Sequence, residues 1–361
     1  MRSLACELGT RRVDRLIVSE PVNLRYLSSY TGTNGLLLIC AHEHVPHRFF
    51  TDFRYVSQAA QQVPAPIERE IVAGDLLEAA ARLLDEERGE DESRLGFDDA
   101  ALTVKQHARL RELLDDSWEL VPCAGLIERL REVKDEHEVA AIRAATELAD
   151  EALTGLLEGG LVGRSERDVA IDLELRMRRL GAQASSFPSI VASGEHGALP
   201  HAEPREEPIA PNVLVTIDWG ARLDGYCSDC TRTYATGAVE EQAREVYELV
   251  LSAQEAALRA VRAGISGREV DAVARTIIDE AGHAEHFGHG LGHGVGLDIH
   301  EAPRLSRTAS EDPLRAGNIV TVEPGVYVPE RFGVRIEDLA LVGEQGSERL
   351  TSLPKELLTV D

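Results

Sequence analysis

The chain has 361 residues, a formal charge of −25 and five scattered cysteines. This length predicts about two domains, and the negative charge argues against a nucleic-acid partner because phosphates would be repelled. The few cysteines exclude a disulfide framework, and no stretch approaches the roughly 20 apolar residues of a membrane span. We see no secretory signal near the N-terminus, so we expect a cytoplasmic protein with no membrane partner.

Residues 1–131 are expected to form a small α/β domain. Apolar and aromatic runs at 36–40 and 47–56 predict strands, and helical periodicity at 76–87 and 104–116 predicts helices. This stretch shows little chemistry of its own. We place the domain boundary just before Glu132, which leaves residues 132–361 for a second domain.

A long amphipathic helix opens the second domain and introduces an internal repeat. Its apolar residues recur at three- and four-residue steps, and a glycine pair at 159–160 ends it. The segment 160–168 then resembles 264–271, and both have capping-box spacing. The second segment also follows a long amphipathic helix, at 240–264. The order helix, helix, strand pair therefore occurs twice, which predicts two related halves.

The first strand pair carries two aspartates, one on each strand. Asp224-Gly225 is a turn signal between the strands. If the hairpin is centred just before Asp224, Asp218 lies directly opposite Asp229. The two Cβ atoms would then be about 5 Å apart on one face of the sheet.

The second strand pair, 318–328 and 334–343, repeats this arrangement with glutamates. Centring its hairpin on Glu330 places Glu323 opposite Glu337. Like charges facing each other are destabilising, and a buried unpaired carboxylate is too costly to keep ionised. The acids therefore need bound cations or a shared proton. The alternative of two exposed hairpins with acids in water is disfavoured, because the flanking residues are strongly apolar.

A glycine-rich run with five histidines, 283–303, lies between the two strand pairs. Glycines at alternate positions from 288 to 296 would let the backbone approach a ligand closely. The spacing matches neither a dinucleotide loop nor a P-loop, and H-E-x-x-H is absent. His283 and His286 fall at a predicted helix end, so we interpret them as ordinary surface or core residues.

Two cysteines of the first strand pair, Cys227 and Cys230, form a C-x-x-C motif. Such a motif can indicate redox chemistry or a zinc site. Here Asp229 lies between the cysteines and no second C-x-x-C exists. We therefore interpret both as small buried apolar residues.

Five motifs, in order, resemble the ligand motifs of the pita-bread metallopeptidases, the family that includes aminopeptidase P, prolidase and methionine aminopeptidase. They are IDWG (217–220), SDCTRT (228–233), HGLGHGVGLDIHE (289–301), VEPGVY (322–327) and VRIED (334–338). Residues 23–35 and 51–55 resemble the creatinase-type N-domain of aminopeptidase P and prolidase, which methionine aminopeptidases lack. The closing 351–360 is typical of the Xaa-Pro group. The resemblance implies an α+β fold: a pita-bread catalytic domain with an internal pseudo-two-fold repeat, preceded by a smaller α/β N-terminal domain.

The resemblance also implies a two-metal centre. Its ligands would be Asp218 on one ion, Asp229 and Glu337 bridging both ions, and His293 and Glu323 on the other ion. Four carboxylates and one imidazole suit Mn²⁺ or Co²⁺, with Zn²⁺ or Fe²⁺ as alternatives. Two such ions activate water for attack on a carbonyl, and Glu323 is the candidate for carrying the proton to the leaving nitrogen.

Five further residues match substrate contacts of the family. His289, His300 and His201 match histidines that contact the substrate or the developing tetrahedral intermediate, and Tyr327 and Arg335 match positions near its prolyl side. We expect His300 to donate a hydrogen bond to the carbonyl oxygen as charge develops there, with assistance from His201.

The resemblance implies prolyl peptides as substrates, cleaved between an N-terminal residue and the following proline. It leaves prolidase and aminopeptidase P open, because both groups can carry an arginine at the position where Arg335 could recognise a dipeptide carboxylate. Two other functions are an inactive pita-bread protein that acts as a binding module and a creatinase-like amidine hydrolase, which does not use the metal set. The complete ligand set argues against both. The family also implies a homodimer.

Overall fold

The computed structural model describes residues 2–42, 44–89 and 93–361. The chain divides into two compact units, Met1–Arg131 and Glu132–Asp361. In the described part of the chain, no helix is both long enough and apolar enough to cross a membrane.

The first unit is a six-stranded mixed sheet with six helices in its described residues. Its elements are α1 (Arg2–Arg11), β1 (Arg15–Val18), α2 (Pro21–Ser28), β2 (Leu36–Cys40), β3 (His47–Thr51), α3 (Val56–Gln62), β4 (Ile67–Ile71), α4 (Leu76–Glu86), β5 (Arg94–Phe97), α5 (Val104–Leu113), β6 (Glu119–Pro122) and α6 (Glu128–Arg131). The strand order is β4-β3-β2-β1-β5-β6. Leu16 and Ile17 of β1 belong to different apolar clusters, so this strand is buried on both faces.

Three of the four elements predicted in the first unit are confirmed, with small differences at their ends. The fourth, a strand at 47–56, is wrong in its second half because β3 ends at Thr51. The Asp52 side chain accepts a hydrogen bond from the backbone amide of Arg54 (2.9 Å) and caps a short turn that leads into α3. The aromatic residues after Asp52 therefore lie in a turn rather than in the sheet.

The second unit contains four helices, arranged as two pairs, and a set of short strands. Its elements are α7 (Glu136–Leu157), α8 (Glu166–Leu180), β7 (Ala184–Ser185), β8 (Ile190–Ser193), β9 (Leu214–Trp219), β10 (Ala221–Leu223), β11 (Tyr226–Cys227), β12 (Cys230–Ala235), α9 (Glu241–Ala260), α10 (Gly267–Glu280), β13 (Gly292–Gly294), β14 (Glu301–Leu305), β15 (Ile319–Val322), β16 (Gly325–Val328), β17 (Phe332–Arg335), β18 (Asp338–Val342) and β19 (Ser347–Arg349). The main sheets have the orders β12-β9-β8 and β14-β13-β15-β18-β19.

The local geometry of the two helix pairs repeats. Ser165 Oγ accepts a hydrogen bond from the amide of Asp168 at the start of α8, and Ser266 Oγ accepts one from the amide of Glu269 at the start of α10. Only the second cap is a complete capping box. The pair α7 and α8 shares one apolar cluster with β9 and β12, and α9 and α10 share another with β15 to β18. Each half therefore buries its own acid hairpin against its own helices.

The first acid hairpin has a register that differs from the predicted one. Asp224 and Gly225 have φ values of 47° and 79° and together form a two-residue turn, which moves the centre of the hairpin. Asp218 therefore pairs with Thr231, two residues beyond Asp229. A displacement by two residues keeps side chains on the same face. The predicted direct opposition is wrong, but the predicted common face is confirmed by the proximity of the two carboxylates.

The second acid hairpin has the predicted register. The pairs of β15 with β18, and of β16 with β17, place Glu323 opposite Glu337. Both glutamates lie at breaks between strands of the hairpin, Glu323 between β15 and β16 and Glu337 between β17 and β18. The amide of Glu323 donates to the carbonyl of Leu291 (2.8 Å), and the amide of Glu337 donates to the carbonyl of Thr231 (3.1 Å). At its two glutamates, the hairpin therefore forms backbone hydrogen bonds with neighbouring segments instead of between its own strands.

Candidate metal centre

Three carboxylates from the two hairpins converge at one point. Asp218, Asp229 and Glu337 each offer an oxygen, and these oxygens lie within 4.8 Å of one another. Among the described residues this is the one such group of acids, histidines or cysteines. Asp229 and Glu337 are 5% and 2% exposed. Buried carboxylates at this spacing require protons or cations to balance them.

His293 joins the acids from β13. Its Nε2 lies 3.3 Å from Glu323 Oε1 and 3.5 Å from Asp229 Oδ2. Asp229 therefore stands between two groups, with Asp218 and Glu337 in one and His293 and Glu323 in the other. The structure brings all five predicted ligands together around this shared aspartate.

Two glycines of β13 fix the position of His293. A Cβ atom at Gly292 would collide with the carbonyl of Thr321, and one at Gly294 would collide with the carbonyl of Ala302. The sequence predicted that such glycines bring the backbone close to a ligand, but these two instead let β13 fit tightly between its neighbouring strands. Because His293 Nδ1 lies 3.1 Å from the carbonyl oxygen of Gly294, Nε2 is the nitrogen left for the acids.

The acids and the histidine of the cluster have strongly perturbed pKa values. Burial and the charge of Glu337 raise the pKa of Asp229 well above its usual value, and burial followed by the charge of Glu323 does the same for Glu337. Burial also opposes ionisation of Glu323, but the hydrogen bond and charge of His293 outweigh it and lower the pKa of Glu323 to about 2. Burial disfavours the His293 cation, but Glu323 outweighs burial and raises the pKa of His293.

Arg335 connects the acid cluster to two other predicted residues. Its guanidinium donates to Asp218 Oδ2 (2.7 Å), to Tyr327 Oη (2.8 Å) and to Thr231 Oγ1 (3.1 Å). Tyr327 Oη also lies 3.0 Å from His289 Nε2. One hydrogen-bonded chain therefore runs from His289 to Asp218.

The surroundings of Asp218 Oδ1 indicate whether the site suits a metal ion. This atom is buried and, among the described residues, has no hydrogen-bond partner, whereas Oδ2 is satisfied by Arg335. A buried carboxylate oxygen without a donor is costly and needs an explanation. A cation would both satisfy this oxygen and neutralise the surrounding acids. Four carboxylates and one imidazole are a suitable ligand set for hard or borderline divalent ions, so the residues fit divalent metals.

All ten residues singled out by the sequence line one cavity of about 680 Å³. They are Asp218, Asp229, His293, Glu323, Glu337, His201, His289, His300, Tyr327 and Arg335.

The rings of His300 and His293 are 4.4 Å apart between centroids. Burial lowers the pKa of His289 and of His300, so both imidazoles are neutral at pH 7.

The histidines and cysteines interpreted as ordinary residues do not line this cavity. The Nδ1 atoms of His283 and His286 lie 3.0 Å apart. Cys227 and Cys230 are buried free thiols, and burial raises the pKa of Cys230 well above its usual value. Cys230 therefore remains protonated and packs behind the centre, where its Sγ lies 3.5 Å from the carbonyl oxygen of Glu337.

Two threonines that the sequence reasoning missed orient the acids. Thr231 Oγ1 donates to Glu337 Oε2 (2.7 Å), and Thr321 Oγ1 donates to Glu323 Oε1 (2.9 Å). Each threonine is two residues from an acid of its own hairpin. The alternation of side chains in a strand could have placed both on the acid face.

A buried glutamate holds the loop that carries His201. Glu166 is fully buried and accepts hydrogen bonds from the amide and hydroxyl of Ser193 (2.8 Å each) and from the amide of Arg205 (3.0 Å). Its other partner is His196, whose Nδ1 lies 2.8 Å away. Ser193 and Arg205 flank residues 194–204, the loop that contains His201, so one carboxylate joins the two ends of this loop. No sequence signal indicated this contact.

The fold and the site together define a metal-dependent hydrolase whose centre is built on carboxylates. The chain matches the model of metallopeptidase family M24 over residues 140–344 and that of the creatinase/prolidase N-terminal domain over residues 1–133. It is 36% identical to an Xaa-Pro dipeptidase of Pyrococcus furiosus, across 96% of this chain and 95% of that one.

Two solved structures are similar to nearly the whole chain. An Xaa-Pro dipeptidase from Bacillus anthracis has a TM-score of 0.94 and 39% identity, over 99% of this chain and 98% of that one. An X-Pro aminopeptidase from Thermotoga maritima has a TM-score of 0.89 and 32% identity, over 98% and 99%. The chain therefore belongs to metallopeptidase family M24. The predicted pita-bread catalytic domain, preceded by a smaller α/β domain, is confirmed.

Proposed function

We propose that this metallopeptidase removes an N-terminal residue that precedes proline, with two divalent ions, Mn²⁺ or Co²⁺ in preference to Zn²⁺, held by its five-residue centre. The observation that carries the proposal is the meeting of four carboxylates and His293 around Asp229, in a cavity large enough for a short peptide. The printed names of the relatives, Xaa-Pro dipeptidase and X-Pro aminopeptidase, support the substrate class. A metal-free binding module would leave the buried acids uncompensated.

The five proposed ligands divide into two sets that share two bridging acids. Asp229 and Glu337 would contact both ions, Asp218 would hold one ion, and His293 with Glu323 would hold the other. When bound, the ions supply Lewis acidity that activates water for attack on a peptide carbonyl. Thr231 and Thr321 orient the carboxylates that they contact, through hydrogen bonds of 2.7 and 2.9 Å.

Glu323 is the proposed carrier of the proton. The charge and hydrogen bond of His293 lower the pKa of Glu323, so its carboxylate is ionised at neutral pH and has no proton of its own. The proton that it carries is the one that the attacking water loses. The prolyl nitrogen, which belongs to a tertiary amide without its own hydrogen, must gain a proton to leave as an amine. A carboxylate at the wall of the cavity can transfer that proton over a short distance.

We assign His300, assisted by His201, to the carbonyl oxygen of the scissile bond. His300 and His201 both line the cavity, and the ring of His300 lies 4.4 Å from that of His293. The neutral imidazole of His300 donates one N–H to an oxygen on which charge develops. His289 and Tyr327 form the opposite end of the hydrogen-bonded chain to Asp218. We assign to them contacts with the prolyl part of the substrate.

The dipeptidase type is favoured by a second arginine on the wall of the cavity. Arg335 is 3% exposed and its donors are used within the protein, so it is poorly placed to bind a substrate carboxylate. Arg304 also lines the cavity, is exposed, and forms no ion pair with the described residues. The C-terminal carboxylate of a dipeptide would lie within the cavity, and Arg304 offers it a charge-assisted hydrogen bond.

Comparison of three peptides tests this function. We expect Ala-Pro to be cleaved with a higher kcat/KM than Ala-Pro-Ala, and Ala-Ala to be cleaved poorly. The substitution Arg304→Gln should raise KM for Ala-Pro about tenfold, the equivalent of one lost charge-assisted hydrogen bond, with little effect on Ala-Pro-Ala.

A neighbouring arginine provides the matched control. Arg307 is exposed and does not line the cavity, so Arg307→Gln should leave both KM values unchanged. Preferential cleavage of Ala-Ala would refute the substrate class. Equal losses for the dipeptide and the tripeptide in Arg304→Gln would refute carboxylate recognition while leaving the peptidase reaction intact.

A further inference from the structure

Two buried charged residues of α10 form an ion pair beside the cavity. Asp271 is 0% exposed and Arg275 is 7% exposed. Arg275 Nε donates to Asp271 Oδ2 (2.7 Å) and its Nη2 donates to Oδ1 (2.8 Å), so two parallel hydrogen bonds join residues one helical turn apart. Neither residue lines the cavity, and the proposed chemistry uses neither.

Within the part of the chain that the structure describes, the remaining side-chain contacts of this pair go to one segment, residues 287–291. Arg275 donates to the carbonyl of Phe287 (2.9 Å) and to the carbonyl of His289 (2.9 Å). Asp271 Oδ1 accepts a hydrogen bond from the amide of Leu291 (3.1 Å). The guanidinium also lies 4.1 Å above the ring of Phe287. Three alternate residues of the segment are thus fixed by two side chains.

The His289 side chain projects from the middle of this segment, between Phe287 and Leu291. Its Nε2 lies 3.0 Å from Tyr327 Oη, and its Nδ1 lies 2.7 Å from the carbonyl oxygen of Gly290. A backbone held on both sides of a residue, and at its own carbonyl, restricts where that side chain can go. Displacing an oriented group by about 1 Å can reduce a reaction rate by about 100-fold.

Stability alone is a poor explanation for the Asp271–Arg275 pair. A buried ion pair costs desolvation on both sides and is often no better than apolar residues of the same volume. Here the donors left over from the ion pair serve only the 287–291 segment among the described residues. Their common target is the backbone on which His289 is carried.

We propose that Asp271 and Arg275 are positioning residues for His289. They hold the 287–291 backbone so that the imidazole faces the prolyl part of the peptide and Tyr327. The proposal rests on the proposed function in one respect, the role of His289 as a substrate contact.

A double-mutant cycle separates positioning from a general effect on the fold. Arg275→Lys keeps the positive charge but loses the planar guanidinium that donates to the carbonyls of both Phe287 and His289. We expect it to lower kcat/KM for Ala-Pro by between about 10-fold and 100-fold. In a His289→Ala background the same substitution should change kcat/KM less than about twofold, because its target is already absent. Equal losses in both backgrounds would overturn the proposal.

Another Asp–Arg pair with the same spacing provides the control. On α8, Arg176 Nε donates to Asp172 Oδ1 (3.1 Å), and neither residue lines the cavity. Arg176→Lys should leave kcat/KM unchanged in both backgrounds. A loss there that equals the loss in Arg275→Lys would show that any such helix pair matters, and would also overturn the proposal.

Hydrogen exchange tests the contact without any assay of activity. Asp271→Asn keeps the shape of the side chain but weakens the acceptor for Leu291 and the ion pair. We expect faster exchange of the Leu291 amide, with the amides inside α10 as protected as in the native chain. Unchanged exchange at Leu291 in the folded variant would contradict the proposal. If the native chain cleaves no prolyl peptide, the proposed function fails, while this measurement still decides whether the pair holds the segment.

Discussion

Asp229 is the residue that the two groups of the proposed metal centre share. It lies near His293 in one group and among Asp218 and Glu337 in the other, and it stands where the ladder is interrupted between β11 and β12. Burial and the charge of Glu337 raise its pKa. In the metal-free protein Asp229 is therefore a source of repulsion, whereas next to a cation it becomes a ligand.

Replacing Asp229 by asparagine should remove bound metal without unfolding the chain. The amide keeps the volume but loses the charge that can bridge two ions. We expect metal per chain, measured by plasma mass spectrometry after gel filtration, to fall below one ion, and hydrolysis of Ala-Pro to fall more than about 100-fold. Asp224→Asn, at the exposed turn of the same hairpin, should retain full metal content and activity.

Because the pKa of Asp229 is raised, the Asp229→Asn variant should also differ from the native chain in how its stability depends on pH. A carboxyl whose pKa is higher in the folded chain stabilises the fold below its ordinary pKa, about 3.9, and this contribution is lost as the pH rises towards the raised value. In chelator, the native chain should therefore lose more stability than Asp229→Asn as the pH rises above about 3.9, the ordinary pKa of aspartate. Unchanged metal content in the variant would refute the arrangement around Asp229.

At the scale of elements, the second helix of each half anchors a segment with a cavity histidine. Glu166 begins α8 and closes the loop that carries His201, and Asp271 with Arg275 on α10 holds the segment that carries His289. Both anchors are buried and charged, but they use different residues at different places on their helices. The repeat is therefore one of architecture rather than of identical contacts.

The closure of the His201 loop by Glu166 predicts a measurable stability loss. Glu166→Gln leaves the donors of Ser193 and Arg205 poorly matched, and it should lower the free energy of unfolding by about 3 kcal/mol at pH 7. Glu174→Gln on the same helix, where the carboxylate accepts one hydrogen bond from the amide of Ser189, should cost less than about 1.5 kcal/mol. Denaturant unfolding measures both.

The pH dependence of this loss has a defined sign. Burial opposes ionisation of Glu166, but its hydrogen bonds, first those from the amides of Ser193 and Arg205, outweigh burial and lower its pKa. Its stabilisation is therefore complete above the ordinary glutamate pKa, about 4.3, and is lost as the pH falls through the lowered value. The difference between the native chain and Glu166→Gln should shrink on acidification below about pH 4. A difference that grows there would contradict the assignment.

The sequence predicted the local features of the site better than its long-range contacts. The alternation of strands and the turn at Asp224 were enough to place Asp218 and Asp229 on one face, although the register was displaced because both Asp224 and Gly225 belong to the turn. The contacts of Glu166 with Ser193 and Arg205 could not be predicted, since no periodicity links residues so far apart in the chain. The same holds for Arg275 and the 287–291 segment, where the acceptors are backbone carbonyls that any sequence possesses.

At the scale of the whole molecule, the proposed metal centre lies where the two halves of the catalytic unit meet. One half supplies Asp218 and Asp229, and the other supplies His293, Glu323 and Glu337, each set backed by its own helix pair and apolar cluster. The binding of cations would link the halves through shared ligands, because ions that bind only the folded chain stabilise it. Metal content, stability and activity should therefore change together.

The most direct test is titration of metal-stripped protein with Mn²⁺, with bound metal and hydrolysis of Ala-Pro measured on the same samples. We predict that the stripped protein is inactive and that activity rises with bound metal to a limit at about two ions per chain. Full activity in stripped protein would contradict the account, as would metal binding that restores no hydrolysis of the prolyl peptide.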